Sequence, residues 1–151
     1  MLVISEKFKE HNIKCRIIKM GNDLNITIEG GDIPHIGAVA LGIPVDMPHD
    51  ISKKTTSVSL LTVPGHKEDD VVLKCAKRLV KELGVTVVVT CGIHIKDITF
   101  NEINDLLTLI NQMMTQIIEQ LKEKNQGPMS DEMMVHIFKE IFKVSVKLQE
   151  E

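Results

Sequence analysis

Tryptophan and tyrosine are absent from this chain, and phenylalanine occurs only four times in 151 residues. Readers of single-stranded nucleic acid need aromatic platforms for the bases, and duplex binders need clustered lysine and arginine for the phosphates. Here 18 basic residues stand against 21 acidic ones, a net charge of -3, with no basic block. Nucleic acid is therefore excluded as the main partner. Cysteine is scarce too: Cys15, Cys75 and Cys91 are odd in number, widely spaced and contain no CxxC pair. They offer no disulfide framework, and a reducing cytoplasm is the expected compartment. Long hydrophobic runs are missing as well. The longest, around residues 38–45, is far short of the roughly 20 residues a membrane span requires. The opening MLVISEKFKEH turns charged after four residues, unlike a signal peptide.

What is present is ordinary globular material, 43% apolar and 26% charged, sufficient for a core at this length. We expect a single domain over 1–151, with a core of 1–124 and a helical extension at 128–151. Residues 13–20 alternate Ile13, Cys15 and Ile17 against Lys14 and Arg16, and 24–28 alternate again after Gly21-Asn22-Asp23, the pattern of a hairpin. HIGAVALGI (35–43) is apolar on both faces and predicts a strand buried on both sides. A loop holding Pro44 and Pro48 follows to about Lys54, and TTSVSLLTV (55–63) reads as a fourth strand.

After Pro64-Gly65-His66 the period changes to 3.6. Val72, Cys75, Ala76, Leu79, Val80 and Leu83 line one helical face, Glu68, Asp69 and Asp70 fill the first turn, and Gly84 ends it. VTVVVT (85–90) predicts a central strand. Thr99 and Glu102 form a capping-box pattern with Ile98 and Ile103 as its staple, opening a helix to about Lys124 that Gly127-Pro128 stops. A last helix begins near Ser130 with a stripe of Met134, Ile137, Phe138, Ile141 and Leu148. The expected fold is α+β, a roughly five-stranded mixed or antiparallel sheet covered by helices in the order ββββαβαα, with a parallel neighbour possible across residues 55–90.

Chemistry concentrates in GGDIPHIG (30–37), PGHKEDD (64–70), CGIH (91–94) and the loop holding His49, the first three at strand or helix ends. A metal set of His35, His66 and His94 is one reading, since neutral imidazole suits zinc. Its spacings of about 30 residues match no ligand signature, and three separate histidines with local hydrogen bonds is the stronger reading. An anion site is another: Gly65 and His66 open a helix whose free N–H groups attract phosphate, with Lys67 nearby, but Glu68, Asp69 and Asp70 oppose it. An ordinary capped helix weighs equally. Cys91 lies three residues before His94, yet lacks an orienting partner and reads better as a core residue.

GGDIPHIGAVALG, TTSVSLLTVPGHKEDDVV and VTVVVTCGIHIKDIT, in this order and together covering roughly residues 26–104, resemble the prenylated flavin chaperone (LpdD-like) family. The resemblance implies a compact α+β domain similar to the proteasome assembly chaperones. It also implies a partner, a UbiD-type (gallate or hydroxyarylic acid) decarboxylase whose cofactor is prenylated FMN, with prenylated FMN or FMN handled transiently. Carried over by position, the implied cofactor site comprises Pro34, His35, Gly37, Gly65, His66, Lys67, Gly92, His94 and Asp97, with no metal. Lys96 before the aspartate and the helix within 125–151 depart from the family pattern. The expected protein is a cytoplasmic, homo-oligomeric accessory chaperone and not an enzyme. The alternatives are an assembly chaperone that touches no cofactor, and a small histidine-dependent enzyme, with or without a metal.

Overall fold

Period-two alternation builds a sheet whose buried face is almost wholly aliphatic. The computed structural model describes residues 1–125 and 131–150. Its elements are β1 (Leu2–Phe8), β2 (His11–Met20), β3 (Asp23–Gly31), β4 (Ala38–Met47), β5 (Asp50–Thr62), α1 (Asp69–Leu83), β6 (Val87–His94), α2 (Phe100–Asn125) and α3 (Asp131–Glu150). The expected helix stop at Gly127-Pro128 and the cap at Ser130 lie outside the described residues. The strands form one mixed sheet in the order β1-β2-β3-β6-β4-β5. β3 and β6 are parallel, and every other neighbouring pair is antiparallel.

The class is α+β as expected, but the sheet has six strands. The added strand is β1, an edge strand that turns Ile4 and Phe8 inward and Ser5 and Lys7 outward. Glu6, on the same side as Ile4 and Phe8, breaks the apolar alternation in the sequence. The loop expected over 44–54 is instead a hairpin, because β4 runs on to Met47 and β5 starts at Asp50, with an irregular register at Asp46/Met47. Past Gly42 only β5 pairs with β4, so Pro44 sits where the loss of one N–H is tolerated. The parallel neighbour also differs from expectation: β4 lies between β5 and β6, and β6 takes β3 as its parallel partner.

Ile13, Cys15, Ile17, Leu24, Ile26, Ile28, Val87 and Val89 form the buried sheet face. Helix α1 covers it with Val72, Cys75, Ala76, Leu79 and Val80, close enough to β4 that a Cβ on Gly42 would meet Val80 Cγ2 at 2.9 Å. Helix α2 contributes Leu106, Ile110, Met113, Met114, Ile117 and Ile118. Arg78 of α1 donates to the carbonyl and side-chain oxygens of Asn111 and to Thr115 Oγ1 of α2, so both helices share one side of the sheet. The opposite face carries Leu41 and Ile43 of β4 at 42% and 38% exposure. The burial of β4 on both sides that its apolar run suggested is therefore not found: one of its faces is open.

Two compact units are present, Met1–Glu119 and Gln120–Glu151. In the second, Ile137, Phe138, Ile141 and Phe142 of α3 are exposed. No helix among the described residues is long and apolar enough to cross a membrane.

Candidate functional site

The strand order brings distant segments together. β3 and β4 pair with opposite sides of β6, so residues 32–37 must cross over the C-terminal end of β6. The β5–α1 connection (63–68) and the β6–α2 connection (95–99) begin at that same end, because β5 leaves the sheet beside the start of β4. The three glycine-containing segments therefore meet at one rim.

Hydrogen bonds pin the crossing. Gly37 N donates to Cys91 O at 2.9 Å, and Val63 N donates to Gly37 O at 2.9 Å. Asp32 N donates to His94 O at 2.6 Å, and Lys96 N to Asp32 Oδ2 at 2.8 Å. The chain passes so close to β6 that a Cβ on Gly92 would lie 1.5 Å from the His35 carbonyl oxygen. Glycine at 92 is a steric requirement of the crossing. Pro64-Gly65 closes a turn in which His66 N donates to Val63 O at 3.2 Å with Gly65 at φ 82°, the geometry that calls for glycine third in a type II turn.

At the centre of the rim is a side-chain cluster. His35 Nδ1 lies 2.9 Å from the carbonyl oxygen of Ile33, and Nε2 lies 2.9 Å from Glu68 Oε1. A carbonyl only accepts, so Nδ1 carries the proton and Nε2 faces the carboxylate. Both side chains are largely buried, at 18% and 12% exposure. Glu68 Oε2 is buried without a hydrogen-bond partner, in the space left by Gly37, where a Cβ would meet it at 2.3 Å. The His66 ring lies against His35 with centroids 4.4 Å apart.

Beside this cluster opens a cleft of about 460 Å³. Its mouth carries Gly65, His66, Lys67, Glu68 and His94, and its wall is built from Ile93, Ile95, Ile98, Ile103, Leu107 and Ile110. Thr99 Oγ1 accepts from Glu102 N at 3.2 Å and donates to Glu102 Oε1 at 3.0 Å. That cap fixes the start of α2, so Ile98 and Ile103 both face the cleft. Glu102 also pairs with Lys9; hydrogen bonds from Lys9 and Thr99 hold its carboxyl below its ordinary value.

Of the residues singled out from the sequence, Gly65, His66, Lys67 and His94 line the cleft, and His35 joins through Glu68 and His66. Gly37 and Gly92 act as backbone spacers behind it. Pro34 and Asp97 are exposed outside the lining, Asp97 as a turn residue at φ 55°. Cys91 borders the cleft but is 1% exposed. Burial, with Cys75, Glu68 and Cys15 adding to it, holds its thiol well above the ordinary range, so it is a core residue and not a nucleophile.

The sequence does not single out Glu68, which reads there as one of three acids complementing a helix dipole. It occupies the N-cap of α1 yet makes no side-chain cap bond. Glutamate is not among the favoured N-cap residues, and that choice is the signal that its side chain is used elsewhere.

Comparison with known proteins matches residues 7–122 to the prenylated flavin chaperone LpdD-like domain. Protein LpdD of Lactiplantibacillus plantarum is 28% identical over 103 residues, covering 68% of this chain and 72% of that protein. Among solved structures, a chaperone complex for yeast 20S proteasome assembly is similar over 76% of this chain and 99% of that one, at 9% identity and a TM-score of 0.44. With a family model spanning most of its length, the chain belongs to the prenylated flavin chaperone LpdD-like family, a family of chaperones and not of enzymes.

Proposed function

We propose that this protein is a cytoplasmic accessory chaperone that takes up prenylated FMN or FMN transiently and supports the maturation of a UbiD-type decarboxylase. The observation that carries this reading is the cleft at the sheet rim, an apolar wall with a polar mouth. Its volume of about 460 Å³ falls within the roughly 300–1,000 Å³ typical of small-molecule sites. The wall from Ile93 to Ile110 suits the isoprenoid-derived ring of the cofactor, and His66, Lys67 and His94 suit the polar edge of a flavin. Among the described residues no Phe lines the cleft, so a flavin ring would meet only imidazole and aliphatic surfaces there. Weak holding favours handing the cofactor on over storing it. Self-association would use the exposed apolar residues of α3, Ile137, Phe138 and Ile141.

The test combines flavin titration with a decarboxylase activation assay. Co-expression with the wild-type protein should raise the active fraction of a UbiD-type decarboxylase, and the protein alone should decarboxylate nothing. Replacing His35, His66 and His94 together by Ala, or Ile103 by Lys, should abolish both flavin binding and activation. Equal decarboxylase activity with wild-type protein, variants or neither would refute the chaperone reading. Activation that survives both variants would keep the chaperone and discard the cleft.

A further inference from the structure

We propose that His35, His66 and Glu68 form a binding site for a divalent transition-metal ion of the zinc class at the rim of the cleft. The ligand atoms of the three residues lie within 4.8 Å of one another. Bonds of about 2.1 Å in a tetrahedral site place ligand atoms about 3.4 Å apart. His66 is exposed and can close the difference by a side-chain rotation.

Three further observations favour a cation here. The Ile33 carbonyl takes the His35 Nδ1 proton and fixes the ring so that Nε2 points at Glu68 Oε1. A histidine whose far nitrogen is held by a carbonyl is the usual arrangement of a metal ligand, since that bond sets both tautomer and ring orientation. The same nitrogen and carboxylate oxygen, 2.9 Å apart, would serve as adjacent ligands once a metal takes the place of the proton between them. Second, Glu68 Oε2 is buried with no partner, a spare acceptor that a metal would use and that a simple His–Glu pair leaves unexplained. Third, His35 and Glu68 stand on fixed backbone, the pinned crossing and the N-cap of α1. Two imidazoles and one carboxylate, with a further position open, match sites with three protein ligands. Because His66 and Glu68 both line the cleft, the open position is available to water or to an oxygen or nitrogen of a cleft ligand.

The probes are Co²⁺ and Zn²⁺ alone, added to the full-length protein without flavin, so the outcome is independent of the flavin titration above. The wild-type protein should bind about one Co²⁺ per chain with visible d–d bands, displaced by Zn²⁺ and unaffected by Mg²⁺. His66→Ala removes an exposed ring and does not threaten the fold; Glu68→Gln removes the charge at constant shape. Each should weaken Zn²⁺ binding more than about 100-fold, beyond the roughly 10–100-fold that outer-shell partners command, while His49→Ala, in the β4–β5 hairpin away from the rim, binds like wild type. Absence of d–d bands at saturating Co²⁺ overturns the site, as does wild-type affinity in either the His66→Ala or the Glu68→Gln protein.

Discussion

Substituting Gly92 by Ala tests whether the crossing over β6 is as tight as the structure implies. The added Cβ would lie 1.5 Å from the His35 carbonyl oxygen and 2.3 Å from its carbonyl carbon. Ordinary contact begins near 3.4 Å, so residues 34–37 would have to retreat by about 2 Å. That retreat breaks the bonds from Gly37 N to Cys91 O and from Val63 N to Gly37 O. Each is worth about 0.5–1.5 kcal/mol net, more where a buried group is left unsatisfied. Overpacking itself costs about 1–3 kcal/mol, so the total is about 2–6 kcal/mol. At about 2–4 °C per kcal/mol for a chain of this size, Tm should fall by roughly 10 °C. Gly37→Ala is the internal control. The three atoms its Cβ would meet first all belong to the end of the Glu68 side chain, which can swing away, so stability should change by no more than about 1 kcal/mol while Glu68 leaves His35. Urea melts of both variants, with histidine NMR reporting the His35–Glu68 contact, separate the two effects. A Gly92→Ala protein within about 0.5 kcal/mol of wild type would refute the tight crossing.

Alkali should weaken the fold through its buried thiols. Burial pushes Cys15 and Cys75 up to about 12 and Cys91 well above its ordinary value. The unfolded chain therefore gives up protons that the folded chain keeps, so stability falls as pH rises above about 9, by up to ~1.4 kcal/mol per pH unit for each thiol. Urea midpoints measured between about pH 8 and about pH 10 should decline less steeply in Cys75→Ala, and identical slopes would contradict the assignment. Thr99→Ala removes the cap of α2 and should cost about 1 kcal/mol by chemical denaturation; no loss would mean the cap does not hold that helix start. Phe138→Glu with Ile141→Glu in the full chain should reduce any oligomer seen by light scattering, and an unchanged mass would exclude α3 as the contact.

Much of the fold is legible in the sequence because its segments have uniform periods. The 13–20 and 24–28 alternation pairs as expected, Ile17 opposite Ile26, and the 3.6-residue stripe of α1 buries all the residues it names except Leu83, which is half-buried at the helix end. Strand β1 is hidden because an edge strand needs only two deeply buried side chains, Ile4 and Phe8, and Glu6 and Lys7 interrupt the apolar pattern between them. Beyond the β2–β3 hairpin the strand order is not legible. Nothing local to residues 32–37 says that they pass over β6, because the partner that forces the crossing lies about 60 residues later in the chain.

That same crossing explains why the candidate site escapes spacing rules. His35, His66 and Glu68 come from two connections about 30 residues apart, so no short ligand motif can hold them. They meet because β3 and β4 flank β6, and because β5 returns to the rim where β4 began. The glycines are the local trace of this geometry: Gly92 clears the crossing backbone, and Gly37 clears the Glu68 carboxylate. A side chain at either position would displace one half of the His35–Glu68 contact, the backbone half at 92 and the carboxylate half at 37. The cluster and the glycines around it are thus one steric unit, and its chemistry depends on residues that carry no functional group.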